Sequence, residues 1–278
     1  MSTVTSSFAK RIDEFFYEGL LAFVDCLAHL AFNDPEKMRL TYANVITPSK
    51  LIFATYNAKS QGVRLLVVLS NLTYTREVLL SRLCGKLADV IDVVPAKLDP
   101  VRETMTYMDN LIFETYTREK TAKICEVVER GILFPGVDWE TMTKPAELRG
   151  YVHTLLLEMV FVHSEVHDTY KAFLGRILSE ILTTAALKFL GCLQRVPKFG
   201  VGGTLRATLE VEFVHQTLLS FETRTSKEVF QRIYACIDVQ GKLGQEAFKQ
   251  EIVNIRDILK TARKSTEAQF LCLRESER

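Results

Sequence analysis

The sequence predicts an all-α protein, and three observations carry that prediction. Apolar residues recur at steps of three and four along nearly the whole chain, the pattern of amphipathic helices. Sustained apolar–polar alternation, which a half-buried strand requires, occurs nowhere. Seven prolines and 13 glycines in 278 residues are too few to reverse the many short strands of a sandwich or barrel. A composition 47% hydrophobic and 25% charged excludes a disordered or low-complexity chain.

The elements follow in order. Phe8, Ile12, Phe15, Phe16, Leu20, Phe23, Leu27 and Leu30 form a stripe behind the candidate caps Ser6 and Ser7, predicting a helix that ends near Asn33 and Pro35. Further helices are predicted at about 36–44, 60–92, 100–131, 146–168, 171–195, 203–222 and 225–238. Their limits are set by Pro48, Pro95, Pro100, Pro135, Pro145, Pro197 and the cluster from Gly200 to Gly203. Within 36–59, Ile46 to Pro48 and Leu51 to Phe53 read equally as a loop or a short helix start. The last helix carries Phe248, Ile252, Ile255, Leu259, Ala262, Thr266, Phe270 and Leu273 on one stripe, with Lys249, Glu251, Arg256, Asp257, Lys260 and Arg263 largely off it.

Two stretches read as junctions, Gly131 to Pro145 and Pro197 to Gly203. The first holds the only tryptophan, Trp139, expected to anchor an irregular connection against the flanking helices. The expected organisation is therefore a first helical bundle over 1–134, a junction loop over 135–145 and a second bundle over 146–278. No fixed-period repeat supports a solenoid.

Charge and cysteine usage narrow the function classes. With 35 Lys and Arg against 34 Asp and Glu, the net charge of +1 gives no field strong enough to displace counterions from nucleic acid, so no nucleic-acid partner is expected. The N-terminal apolar stretch is broken by Asp13, Glu14, Glu18, Asp25 and His29, unlike a signal peptide. The apolar runs Leu155 to Val162 and Ile181 to Leu193 stop short of bilayer length, so a soluble intracellular chain is expected. Cys26, Cys84, Cys125, Cys192, Cys236 and Cys272 stand singly and read as reduced core thiols rather than metal ligands.

One cluster has the spacing for chemistry. His163 and His167 lie four apart on a predicted helix, with His153 on roughly the same side, so the three could hold zinc. A metalloprotease helix needs Glu directly after the first His as general base, and Ser164 stands there. Structural histidines are the preferred reading, and the alternative is a small helical zinc-dependent hydrolase using His153, His163 and His167. The segment from Gly200 to Thr204 lacks the preceding strand and the following Lys of a phosphate loop, so it reads as a helix start or hinge. Glu210 and Glu212 point in neighbouring, not convergent, directions. No catalytic, cofactor-binding or metal residues are assigned. The alternating charges of the last helix read as a solvated face.

Four stretches in the same order resemble one family. Gln61 to Tyr74 (QGVRLLVVLSNLTY) resembles the LLVxLSNxxY stretch of exocyst complex component 2, the Sec-five subunit. Gly136 to Trp139 is similar to that family's Gly-x-x-Asp-Trp turn in a shortened form. Leu148 to Tyr151, followed by Val162 to Val166, resembles its VRxYL…VHAEV helix, and Gly203 to Phe213 its GxLQAxLEVEF segment. A comparable long final helix carries Phe270, Leu271 and Cys272, and the order is colinear over roughly 60–275.

The resemblance implies an elongated stack of antiparallel helical bundles, a tethering-complex rod without enzymatic activity or cofactor. It implies other exocyst subunits as partners and a cytoplasmic location, recruited peripherally to the plasma membrane and secretory vesicles, with membrane contact only indirect. The family's chains are several times longer. Their N-terminal immunoglobulin-like domain engages Ral GTPases in animals, and their N-terminal helices assemble the complex core. Neither has a counterpart in these residues, so core assembly is not carried over and a small GTPase is only a possible partner. Either a truncation at Met1 or a separate short form is expected. A helical GTPase effector would need an exposed nucleotide-sensitive patch that the sequence does not display.

Overall fold

The computed structural model describes residues 2–32, 61–87, 95–241 and 245–274; the side chains of residues 2–6, 95–97, 245–250 and 252 lie outside that description. All regular structure in these residues is helical, as predicted. The helices are α1 (Ser2–Phe32), α2 (Gln61–Tyr74), α3 (Leu80–Leu87), α4 (Pro95–Leu133), α5 (Gly150–Tyr170), α6 (Leu174–Gln194), α7 (Val201–Thr217), α8 (Arg224–Gly241), α9 (Gln245–Ser265) and α10 (Glu267–Arg274). The expectations for 36–59 lie outside the described residues. Two compact units emerge, Met1–Tyr116 and Thr117–Arg278, and the division falls within α4.

In the first unit α1 packs on α2. Its buried face is Leu20, Val24, Leu27 and Ala31, which meets a core of Leu65, Leu66, Val68, Leu69 and Leu72 from α2. Phe8 and Phe15, members of the predicted stripe, are instead 64% and 80% exposed. The helix thus carries two apolar faces about a third of a turn apart, and the unit uses the one with smaller side chains, which lets α2 approach closely. A single wider turn of π geometry, Thr75–Leu79, joins α2 to α3, and the Thr75 hydroxyl donates to the Asn71 carbonyl at 2.7 Å. From α4 come Val101, Met105, Met108, Ile112 and Tyr116, all buried. Pro100, expected as a boundary, lies inside α4, in its second turn, and the helix continues through it without the bond its N–H would have made.

The second unit is built on antiparallel pairs. Lys120 of α4 meets Glu165 near the end of α5, while Gly131 of α4 accepts from Arg149 just ahead of α5, so the two helices run oppositely. A 3-10 turn, Lys171–Phe173, reverses the chain into α6. Helix α7 opposes α8: Thr204 packs on Gly241 and His215 on Phe230. Phe189, Phe199, Phe213, Phe230 and Phe270 are fully buried, each contributing about 1.5–3 kcal/mol. The predicted final helix is broken: Thr266 leaves the helix, Phe270 takes φ −115° and ψ 17°, and α10 folds over so that Phe270 and Leu273 are fully buried. It packs on α5.

The 135–145 stretch, expected as a junction, is held inside the second unit. Trp139 is buried, donates from Nε1 to the Ile132 carbonyl at 2.8 Å, and meets Phe199 edge-on at 5.2 Å.

Two helical stretches, Ser7–Phe32 and Gly150–Gln194, are long and apolar enough to cross a bilayer by length and composition. Both are longer than the uninterrupted apolar runs of the sequence, because they include scattered polar residues. The second is the α5–α6 hairpin, bent at Lys171–Phe173, and its apolar side chains Leu155, Leu156, Met159, Ile177, Leu178 and Ile181 form the core of the unit. The first carries Asp13, Glu14, Glu18 and Asp25, each costly in hydrocarbon.

Candidate functional site

The most tightly organised polar group in the second unit centres on Glu210 of α7, which is 1% exposed. Arg149 Nε and Nη2 donate to its two carboxylate oxygens at 2.7 and 2.6 Å, and the Tyr151 hydroxyl donates at 2.9 Å. Arg149 also donates from Nη1 to the Gly131 carbonyl at 2.9 Å and lies over the rings of Trp139 and Tyr151 at 4.6 and 4.9 Å. Burial would lower the Arg149 pKa, but the bonds and charge of Glu210 outweigh it and hold the guanidinium more firmly charged. Burial first, and then the Glu210 charge, push the Tyr151 phenol well up. The bidentate pair ties α4, the Trp139 loop, α5 and α7 at one point.

The glycine cluster serves the same junction. Gly200 donates its N–H to the Trp139 carbonyl at 3.0 Å. A Cβ at Gly200, Gly202 or Gly203 would overlap the carbonyl oxygens of Glu140, Met142 and Trp139 respectively. Absent side chains at the start of α7 therefore let the loop backbone lie directly on the helix. The cluster is a helix start, as read from the sequence, and not an anion cradle: its free side is filled by carbonyl oxygens.

Glu212, two residues beyond Glu210, joins a different group. It accepts from the Tyr234 hydroxyl and from Gln216. His215 stacks on Phe230 at 4.0 Å, with Nε2 2.6 Å from Glu222 and Nδ1 3.2 Å from the Tyr234 hydroxyl. Burial, followed by the Glu212 bond and charge, drives the Tyr234 phenol far up. Each carboxylate is thus consumed by protein partners.

The three histidines of the hydrolase alternative are not brought together. His163 and His167 do stack, with ring centroids 5.9 Å apart. His153 lies ten residues earlier on α5, about 15 Å along the axis, and packs beside Phe213 and Phe270 at 6.3 and 6.2 Å. Among the described residues no three His, Cys, Asp or Glu side chains gather as a metal site. The zinc hydrolase reading is therefore set aside.

His163 also yields a test. Its pKa is lowered, first by burial and then by the charge of His167, with Asp168 opposing and Lys171 assisting. A depressed folded value means the unfolded chain takes the proton first as pH falls below the ordinary imidazole value of 6.5. The contribution is fully present above that pH and declines below it. Exchange of His163 for Gln is expected to flatten this acid limb in urea midpoints measured from pH 7 to 5; an unchanged slope would show that His163 titrates normally.

The six cysteines are free thiols, and burial raises the pKa of Cys125, Cys192, Cys236 and Cys272. Those four are poor nucleophiles in these surroundings.

What remains open are helix faces. Leu157 and Phe161 are exposed neighbours on α5. Leu190, Gln194, Arg232, Ala235, Cys236 and Val239 line a shallow groove between α6 and α8. Arg256, Lys260 and Arg263 line another beside α7. The sequence did not single out Arg149 or Tyr151 as interacting groups, because their partner Glu210 lies 61 and 59 residues away.

Fold and surfaces together define a class: helical bundles that offer helix faces and shallow grooves to their surroundings. The family described as exocyst complex component Sec5 matches residues 2–273, and the chain belongs to that family. It is 23% identical to human exocyst complex component 2 over 240 residues, covering 84% of this chain and 26% of the human protein. The mouse protein of the same name is 23% identical over 258 residues, covering 90% and 27% respectively. Exocyst complex component SEC5A of Arabidopsis thaliana is 23% identical over 208 residues, covering 71% and 18%. The chain thus spans about a quarter or less of the curated relatives it matches. No solved structure matches it. Three of the stretches that carried the resemblance, around Trp139, Arg149 to Tyr151 and Glu210, are the ones that meet at the buried ion pair.

Proposed function

We propose that this chain is a non-enzymatic part of an exocyst vesicle-tethering subunit. The family match across residues 2–273 carries the reading. The mechanism is mechanical: bundles locked by buried contacts act as spacers, and several spacers joined together raise the effective concentration of vesicle and target membrane before fusion. In this reading the chain helps to dock secretory vesicles at the plasma membrane on the route from the Golgi. Its partners are other exocyst subunits, met by helix packing over exposed faces such as that of Leu157 and Phe161. The protein works in the cytoplasm, recruited peripherally to vesicle and plasma membrane through the complex. Saturation of Glu210 and Glu212 by protein donors supports the non-enzymatic reading.

Affinity purification of the tagged chain from cells tests this. The expected result is recovery of other exocyst subunits in amounts comparable to the bait. Recovery of folded chain with none of them would count against the proposal.

A further inference from the structure

Several cations of the second unit sit against carboxylates. Lys120 pairs with Glu165, Lys188 and Arg195 with Glu129, Lys198 with Glu140, Arg149 with Glu210, and Lys144 with Glu251. The exposed edge of α9 departs from this. Arg256, Lys260 and Arg263 follow at i, i+4 and i+7 along one face, a line of charge about 10 Å long. With Gln216 of α7 and the buried Leu259 they line an open groove of 330 Å³. None of the three has a carboxylate oxygen within 4.0 Å among the described residues.

The surroundings sharpen the imbalance. Arg263 donates to the Gln216 side-chain oxygen at 3.4 Å, and its own carbonyl accepts from Arg274, a fourth cation, at 3.0 Å. Arg274 is half-buried, and its Nε is buried without an acceptor. Its charged form is disfavoured, first by burial and then by Arg263, with Glu267 opposing weakly. Of the acids nearby, Glu212 is engaged by Tyr234 and Gln216 and Glu251 by Lys144 and Asn254, while Glu267 acts on Arg274. Asp257, next to Arg256, lines the adjoining grooves instead.

We propose that this groove docks an acidic helix of a partner protein, one that presents carboxylates at i, i+4 and i+7. The inference rests on the reading of the chain as an assembly subunit and adds the chemistry of one contact. Cations strung along 10 Å do not converge on one point, as chelation of a single phosphate would require. They match the 5.4 Å pitch at which a facing helix repeats its side chains. Leu259 supplies an apolar floor for the methylene groups of the incoming side chains.

The probe is a fluorescein-labelled helical peptide with Glu at i, i+4 and i+7, compared with its Gln counterpart by fluorescence anisotropy at low salt. The Glu peptide is expected to bind the full chain, more weakly as salt is raised. Combined Arg256→Glu and Lys260→Glu exchange is expected to weaken it about tenfold or more, since like charges would then face each other. Lys227→Glu on α8, with the same charge sign change, is expected to leave it unaltered. Circular dichroism of each variant reports whether the helices are kept, and the milder Arg256→Gln with Lys260→Gln pair gives a second reading. Equal binding of the Gln peptide, or equal loss with Lys227→Glu, would overturn the proposal. So would sedimentation with phosphatidylcholine–phosphatidylserine vesicles that depends on Arg256 and Lys260 while peptide binding does not, an outcome that assigns the groove to a lipid surface. Groove-dependent peptide binding by a chain that recovers no exocyst subunit from cells would sustain the groove and sink the tethering role.

Discussion

Replacement of Glu210 by Ala is expected to lower the unfolding free energy of the second unit by about 3–5 kcal/mol. The measurement is a fall in the urea midpoint at an unchanged slope. The size follows from what is left behind: Arg149 would face a cavity with two donors unsatisfied, and Tyr151, half-buried beside it, would lose its acceptor. Breaking one side of a buried ion pair strands the other charge, which costs more than the pair contributes when intact. Tyr151→Phe removes a single hydrogen bond and should cost about 1 kcal/mol. A Glu210→Ala loss no larger than that of Tyr151→Phe would mean that water reaches Arg149 and that the junction is held by Trp139 alone.

Gly202→Ala is expected to destabilise by about 3 kcal/mol, near the upper end for overpacking. The added methyl would meet the backbone of Met142 and Thr143, not a side chain able to rotate away, so the loop itself must lift from α7. A Gly191→Ala control in α6 separates this from any general effect of the substitution. Nothing lies within 4 Å of a Cβ there, and the change should stabilise by about 0.5–1 kcal/mol through helix propensity. If both variants melted alike by calorimetry, the close approach of the loop to α7 would not be what the glycine is for.

These two sites show what a linear pattern conceals. Gly200 to Gly203 could be read as a helix start, because no strand precedes it and no Lys follows, but the loop lying across it is 60 residues earlier in the chain and leaves no mark on the local sequence. Glu210 and Glu212 could be read as divergent from their spacing alone, and they do enter separate groups. Which partner each takes depends on helices placed by the core. In α1 the stripe from Phe8 to Leu30 announced an amphipathic helix, and the packed face takes Leu20 and Leu27 from that stripe but adds Val24 and Ala31 and leaves Phe8 and Phe15 exposed. Two apolar stripes on one helix are equivalent until a neighbour chooses between them.

The unbroken stripe from Ile255 to Leu273 likewise gave no sign of the break at Thr266. Beyond that break Phe270 and Leu273 are fully buried and α10 packs on α5. Local periodicity determined that the regular structure among the described residues is helical, since hydrogen bonding and the 3.6-residue repeat act over one or two turns. Ordered motifs determined its family. Tertiary structure alone decided which faces are covered, that Arg149 and Glu210 meet, and that three cations of α9 lie along a groove without acids, because those outcomes depend on contacts between residues tens of positions apart.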